Sequence, residues 1–131
     1  MTAEQQILQS CRTIAVVGLS SNPLRPSYEV SRFMRRQGYQ IIPVNPQESE
    51  VLGEKCYARL EDVPVPVDCV DVFRRPEFVP EIVDSAIAIG AKAVWLQLGI
   101  SHDEAIARAE AAGLLAVQDR CLLIEYRRYF R

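Results

Sequence analysis

The sequence predicts an α/β fold in which one mainly parallel sheet of about five strands lies between helices on both faces. Three observations carry this. Short apolar, β-branched runs alternate with stretches of helical periodicity along the 131 residues. Glycines, prolines and small polar residues punctuate the changes from one to the other. Strands separated by helices pair in parallel, because a crossover of that length returns the chain to the same end of the sheet. The length fits a single domain, residues 1–131. With 49% hydrophobic residues, a core forms without disulfide or metal support.

The elements follow in order. "TAEQQILQSC" is a helix laid over the sheet. "TIAVVG" is a buried strand closed by Gly18. The next helix opens at Pro26 and Ser27, carries Val30, Phe33, Met34 and Gln37 on one face, and stops at Gly38. "YQIIPVNP" is the second strand, and Pro43 places it near an edge. Within the longer connection, "VLGEKCYARL" forms a small hairpin or turn and "LEDV" a short helix. "VDCVDVF" is the third core strand. "RRPEFVPEIVDSAIAIG" is a helix with Pro76 in its first turn and an inward stripe of Val79, Ile82, Val83, Ala86 and Ile87. "AKAVWLQLG" is the fourth strand. Ser101 and Glu104 make a capping box for "DEAIARAEAAG". "LLAVQD" is the fifth strand, and "CLLIEYRRYFR" a terminal helix that packs Tyr126 and Phe130.

Composition excludes several functions. A net charge of −2 argues against a general nucleic-acid binder. Cys11, Cys56, Cys69 and Cys121 show no C-x-x-C spacing, and His102 is the single histidine, so no metal site is expected. No secretory leader pattern or membrane-spanning run is visible, and the expected setting is cytoplasmic with reduced thiols.

In an open parallel sheet, ligands bind beyond the carboxyl ends of the strands, where the strand order reverses. Here those ends are "GLSSNPLRPS", "VNP", "FRRP", "LQLGIS" and "QDRC". Gly18 permits close backbone approach. Ser20, Ser21 and Asn22 add donors, and Pro26 presets a helix start whose free N–H groups favour an anion, with Arg25 beside it. The same residues also suit a plain strand-to-helix connection. Only one glycine is present, and "PVNP" offers no acid for a ribose diol; both count against NAD. Arg74 and Arg75 suit a phosphate or an ordinary surface pair with Glu77. Asp68 and Asp71, three apart in a strand, point to opposite faces. Asp119 and Cys121 lie at a strand end, but no nucleophile, base and orienting group assemble into a catalytic set.

"VVGLSSNPLRPSYEV", "YQIIPVNP", "LGEKCYARLEDVP", "VDVFRRPEFVPEIVDSAIAIGAKAVWLQLGI" and "AEAAGLLAVQDRC", in this order, resemble the small stand-alone CoA-binding domain proteins. They are similar to the N-terminal domain of the succinyl-CoA synthetase α subunit. The resemblance implies a Rossmann-like, three-layer α/β/α domain that binds coenzyme A or an acyl-CoA. It implies that Gly18, Leu19, Ser20, Ser21 and Asn22, with Arg25, Pro26 and Ser27, hold the diphosphate. Val44, Asn45 and Pro46 would border the adenosine; Phe73, Arg74 and Arg75 would line the cleft. Gln97, Leu98 and Gly99 would face the pantetheine. It further implies a binding module without catalysis of its own, working with a separate protein partner. The alternatives are an enzyme, or enzyme subunit, that uses CoA thioesters, and an NAD(H)-binding redox regulator. The expected partners include neither nucleic acid nor membrane.

Overall fold

The computed structural model describes residues 1–130; Arg131, the last residue of the expected terminal helix, lies outside them. The elements are α1 (Ala3–Ser10), β1 (Thr13–Val17), α2 (Pro26–Arg36), β2 (Gln40–Val44), the hairpin strands β3 (Glu50–Val51) and β4 (Glu54–Lys55), β5 (Cys69–Val72), α3 (Val79–Ala88), β6 (Ala93–Leu96), α4 (Asp103–Ala111), β7 (Leu115–Val117) and α5 (Leu122–Tyr129). The five-stranded sheet runs β2-β1-β5-β6-β7, and every pairing in it is parallel. The fold is Rossmann-like. The chain leaves β1 toward β2 on one side and later returns to β5 on the other. The ends of β1 and β5 are therefore the place where a cleft opens.

Alternation along the strands sorts side chains into two layers. Ala15, Val17, Val70, Val72, Val94 and Leu96 join α3 and α4 in one core. Ile14, Val16, Cys69 and Trp95 join α1, α2 and α5 in the other. The first core is apolar throughout. The α2–α5 side differs, because the five buried polar residues among those described, Ser27, Ser31, Asp71, Gln97 and Glu125, belong to its elements and its sheet face.

Most expected elements are present, with local differences. β2 is an edge strand, as Pro43 requires. The hairpin turns at Leu52 and Gly53, both at positive φ. "LEDV" supplies a 3-10 turn, Leu60–Asp62. Pro76 does not start the α-helix but a 3-10 turn, Pro76–Phe78, and α3 begins at Val79 with Pro80 in its first turn. Pro80 has no N–H to donate, and a first turn requires none. On α2, Val30 and Met34 are buried as expected, but Gln37 is the exposed C-cap, and Ser27 and Ser31 complete the inner face. The cap of α4 is His102, not Ser101: its Nδ1 accepts from the Ala105 amide at 3.1 Å. On α5, Tyr126 stacks on Phe130 with ring centroids 5.1 Å apart and meets Phe33 edge-on.

Candidate functional site

Two cavities meet at the carboxyl end of the sheet. The first, about 380 Å³, is built from the end of β1 (Gly18, Ser20), the start of α2 (Arg25, Pro26, Ser27), the segment after β5 (Phe73, Arg74, Arg75, Pro76) and the loop after β6 (Gly99, Ile100). The second, about 340 Å³, lies toward β2 and α3. Val17, Val44, Pro46, Leu60 and Ile82 give it apolar walls, and Arg59, Glu61, Glu81 and Ser85 a polar margin. Arg74 borders both cavities, so the two adjoin in one cleft region with a cation between them. The Arg74 guanidinium lies over the Phe78 ring at 4.4 Å, which restrains a long side chain at this point.

Gly18 is required by geometry. Its φ is +91°, and a Cβ there would lie 2.5 Å from the Phe73 carbonyl oxygen. The Phe73 amide in turn donates to the Val17 carbonyl at 2.9 Å. The β1 and β5 ends thus close on each other only if residue 18 has no side chain.

The loop after β1 is less open to an anion than its donors suggest. The Ser20 amide donates to Ser27 Oγ at 3.1 Å, and the Asn22 amide to Ser20 Oγ at 3.0 Å. The Leu24 amide donates to Asn22 Oδ1 at 3.0 Å, and the Arg25 amide to the Asn22 carbonyl at 3.0 Å. The Ser21 amide and hydroxyl both donate to Glu48 Oε2, at 2.8 and 2.9 Å. Positive character in the cleft therefore comes from the arginine side chains and the first turn of α2, more than from this backbone. Ser27 Oγ accepts from Ser20, which leaves its own O–H to donate into the cleft.

The residues singled out from the sequence divide into two groups. Gly18, Ser20, Arg25, Pro26, Ser27, Phe73, Arg74, Arg75 and Gly99 line the first cavity, and Val44 and Pro46 the second. Six others do not line either. Leu19 is fully buried in the α2-side core. Ser21 is held by Glu48, and Asn22 folds the loop on itself. Asn45 Nδ2 donates to the Leu19 carbonyl at 3.0 Å. Gln97 is buried and bonded to Asp71, and Leu98 is 65% exposed.

Four residues near the cleft are not assigned to the ligand site from the sequence, although Asp119 and Ile100 lie in the strand ends named there. Glu48 grips the loop after β1. Ile100 forms wall. Asp71 accepts from Gln97 Nε2 at 2.8 Å, and its other oxygen meets no partner among the described residues. Burial pushes the Asp71 pKa up to about 8, although the hydrogen bond from Gln97 and the nearby Val72 amide act to lower it. Asp119 holds Gly99 through a hydrogen bond of 2.7 Å. The strand register offered a signal for Glu48: Val17 pairs with Val44, so the loops that follow the two strands are neighbours. Asp68 belongs to the opposite end of the sheet, where it accepts from the Arg12 and Thr13 amides and pairs with Lys92. Burial opposes its charge, but these partners outweigh that and lower its pKa.

The described residues contain no cluster of three metal-ligating side chains, and no described helix is long and apolar enough to cross a membrane. The four cysteines are free thiols. Burial raises the pKa of Cys11, Cys56 and Cys69.

Comparison with known proteins agrees with this fold. The chain is 38% identical over 122 residues to the uncharacterized protein YneT of Bacillus subtilis, covering 93% of this chain and 90% of that one. A hypothetical protein from Pyrococcus horikoshii superposes with a TM-score of 0.95 at 38% identity, over 100% of this chain and 94% of that one. The α subunit of ADP-forming acetate–CoA ligase II from Pyrococcus furiosus is 34% identical over 84 residues, 63% of this chain but only 18% of that subunit. The family described as a CoA binding domain matches residues 12–127, and the chain belongs to that family.

Proposed function

We propose that the protein binds coenzyme A or an acyl-CoA in the cleft beyond the carboxyl ends of β1, β2, β5 and β6, as a binding module without catalysis of its own. One observation supports this most. Arg25, Arg74 and Arg75, with the start of α2, line a cavity at the β1–β5 divide. Three guanidinium groups suit a diphosphate. The apolar slot beside Val44, Pro46, Leu60 and Ile82 suits an adenine ring. The remaining arm, along Gly99 and Ile100, is left for the pantetheine.

A thermal-shift series with CoA, acetyl-CoA, succinyl-CoA, dephospho-CoA, ATP, NAD and NADH tests this reading. A ligand at a hundred times its Kd adds about 2.7 kcal/mol, a shift on the order of 5–15 °C at this size. CoA compounds are expected to raise the midpoint and NAD(H) to leave it unchanged. A shift with NADH alone would replace the CoA reading by the redox-regulator one.

A second reading is favoured by the P. furiosus relative: the chain acts with a separate protein as part of a CoA-thioester-using enzyme. The match covers only 18% of that α subunit, and the rest of such an activity lies outside the matched part. Turnover of an acyl-CoA by the purified chain alone would contradict the binding-module reading.

A further inference from the structure

We infer that Asp119 is a positioning residue for the ligand: it fixes the Gly99–Ile100 wall of the cleft and thereby sets affinity for the pantetheine arm of coenzyme A. This rests on the CoA reading above.

Asp119 has φ +56°, a left-handed conformation that residues with a side chain adopt at a cost. That conformation lets the residue grip the loop after β6 from two sides. Its Oδ1 accepts from the Gly99 amide at 2.7 Å, and its own amide donates to the Ile100 carbonyl at 3.1 Å. Gly99 and Ile100 both line the cleft. Neighbours extend the clamp: Gln118 Oε1 accepts from the His102 amide at 2.8 Å, and the Arg120 carbonyl accepts from Trp95 Nε1 at 2.8 Å. Trp95 is fully buried, so the clamp is anchored in the core. Gly99 has φ +85° and nothing within 4 Å of the position a Cβ would take, so the loop presents bare backbone beside the cavity. A loop of this kind holds one conformation only if something outside it fixes the amide. Asp119 does so with a charged acceptor, at the cost of its own backbone strain.

Gly99 and Ile100, which follow β6, line the first cavity, whereas Val44 and Pro46, at the end of β2, line the second, and β2 and β6 lie on opposite sides of the β1–β5 pair. With the diphosphate at the arginines, the nucleoside and the pantetheine extend in opposite directions. Loss of the clamp should then weaken the pantetheine contacts and spare the nucleotide contacts.

The test is calorimetric titration of wild type, Asp119→Gly and Asp119→Asn with coenzyme A and with adenosine 3′,5′-bisphosphate, which lacks the pantetheine. Asp119→Gly keeps the left-handed backbone accessible but removes the acceptor and adds unfolded-state entropy, so its thermal midpoint should fall by a few degrees while the protein stays folded. It should bind coenzyme A about tenfold more weakly, as expected for one lost charge-assisted hydrogen bond, and bind the bisphosphate as wild type does. Asp119→Asn tolerates the same backbone and keeps an acceptor oxygen, and it should restore most of the affinity. If Asp119→Gly leaves the ratio of the two affinities unchanged, or Asp119→Asn loses as much as Asp119→Gly, the positioning role is overturned while the CoA reading stands. If wild type binds neither compound, the CoA reading falls and this inference falls with it.

Discussion

A single carboxylate oxygen, Glu48 Oε2, accepts both donors of Ser21, the amide at 2.8 Å and the hydroxyl at 2.9 Å. This joins the loop after β1 to the segment after β2, and the bond from Asn45 to the Leu19 carbonyl joins them a second time. The loop beside the cleft is thus held from outside before any ligand arrives. Glu48→Ala should free the Ser21 amide to exchange faster with solvent. It should also lower the thermal midpoint by about 3–6 °C, the equivalent of roughly 1 kcal/mol for charge-assisted bonds at a half-buried site. Ser21 does not line the cleft, so affinity for coenzyme A should fall only a few-fold, through lost preorganisation. A rise in affinity would reverse the interpretation: Glu48 would then be competing with the ligand for the Ser21 donors.

Gly18 provides a sharper test of the cleft's construction. Alanine at 18 must hold φ near +91° and place its methyl 2.5 Å from a backbone oxygen of Phe73. The strain alone is about 1–3 kcal/mol, and the clash forces β1 and β5 apart where they meet the ligand. Gly18→Ala should lower the midpoint by roughly 10 °C and abolish measurable coenzyme A binding in whatever protein folds. A variant with wild-type stability and affinity would show that the strand ends separate freely, contrary to the packing described.

Both cases show what the sequence conveys and what it does not. The order of strands and helices is legible because period 2 and period 3.6 are local properties of "TIAVVG" and "PEIVDSAIA". The cleft's place is legible too, since parallel pairing puts Gly18, Phe73 and Gly99 at one end of the sheet. What stays hidden is which loop atoms are already paired. "GLSSNP" reads as a row of donors, yet Ser27, Ser20, Asn22 and Glu48 take them. The replacement of Ser101 by His102 as the α4 cap is hidden for a similar reason: either residue can cap, and the choice depends on Gln118, which receives the His102 amide. Asp71 is the plainest case. A carboxylate in a strand is expected at a surface, and nothing local marks it as 1% exposed in the central strand.

Arg74 is expected to carry more of the ligand's affinity than Arg75. It borders both cavities and is restrained over Phe78, whereas Arg75 is exposed and borders one. Arg74→Ala should weaken coenzyme A about 10- to 100-fold, the range for a lost charge-assisted contact to phosphate. Arg75→Ala should cost only a few-fold. Arg74→Lys should recover little, because an ammonium neither stacks on the Phe78 ring as a guanidinium does nor offers its planar fork. Equal losses at Arg74 and Arg75 would show that net charge at the cleft, not the placement of one guanidinium, governs binding; the losses would then shrink together as salt is raised.

Asp71 predicts how stability depends on pH. Its Oδ1 accepts from Gln97, its Oδ2 has no partner among the described residues, and the residue lies in the central strand under α2 and α5. Burial moves its pKa from 3.8 to about 8. Between those values the folded protein keeps a proton that the unfolded chain releases. Stability from this group is therefore complete below the unfolded pKa, declines as pH rises through the window up to about 8, and is level above it. The slope within that window approaches 1.4 kcal/mol per pH unit as an upper figure. Asp71→Asn removes the titration, keeps an oxygen for Gln97 and puts a neutral amide where the unpartnered oxygen was. Its midpoint relative to wild type should therefore improve steadily from pH 5 to pH 8 and then stop improving. Denaturation of both proteins across that range reads the difference directly. A constant offset would mean that Asp71 titrates alike in folded and unfolded protein. An advantage that shrinks with rising pH would mean that the folded state prefers the charged carboxylate, and that a cation or water reaches Oδ2 in solution.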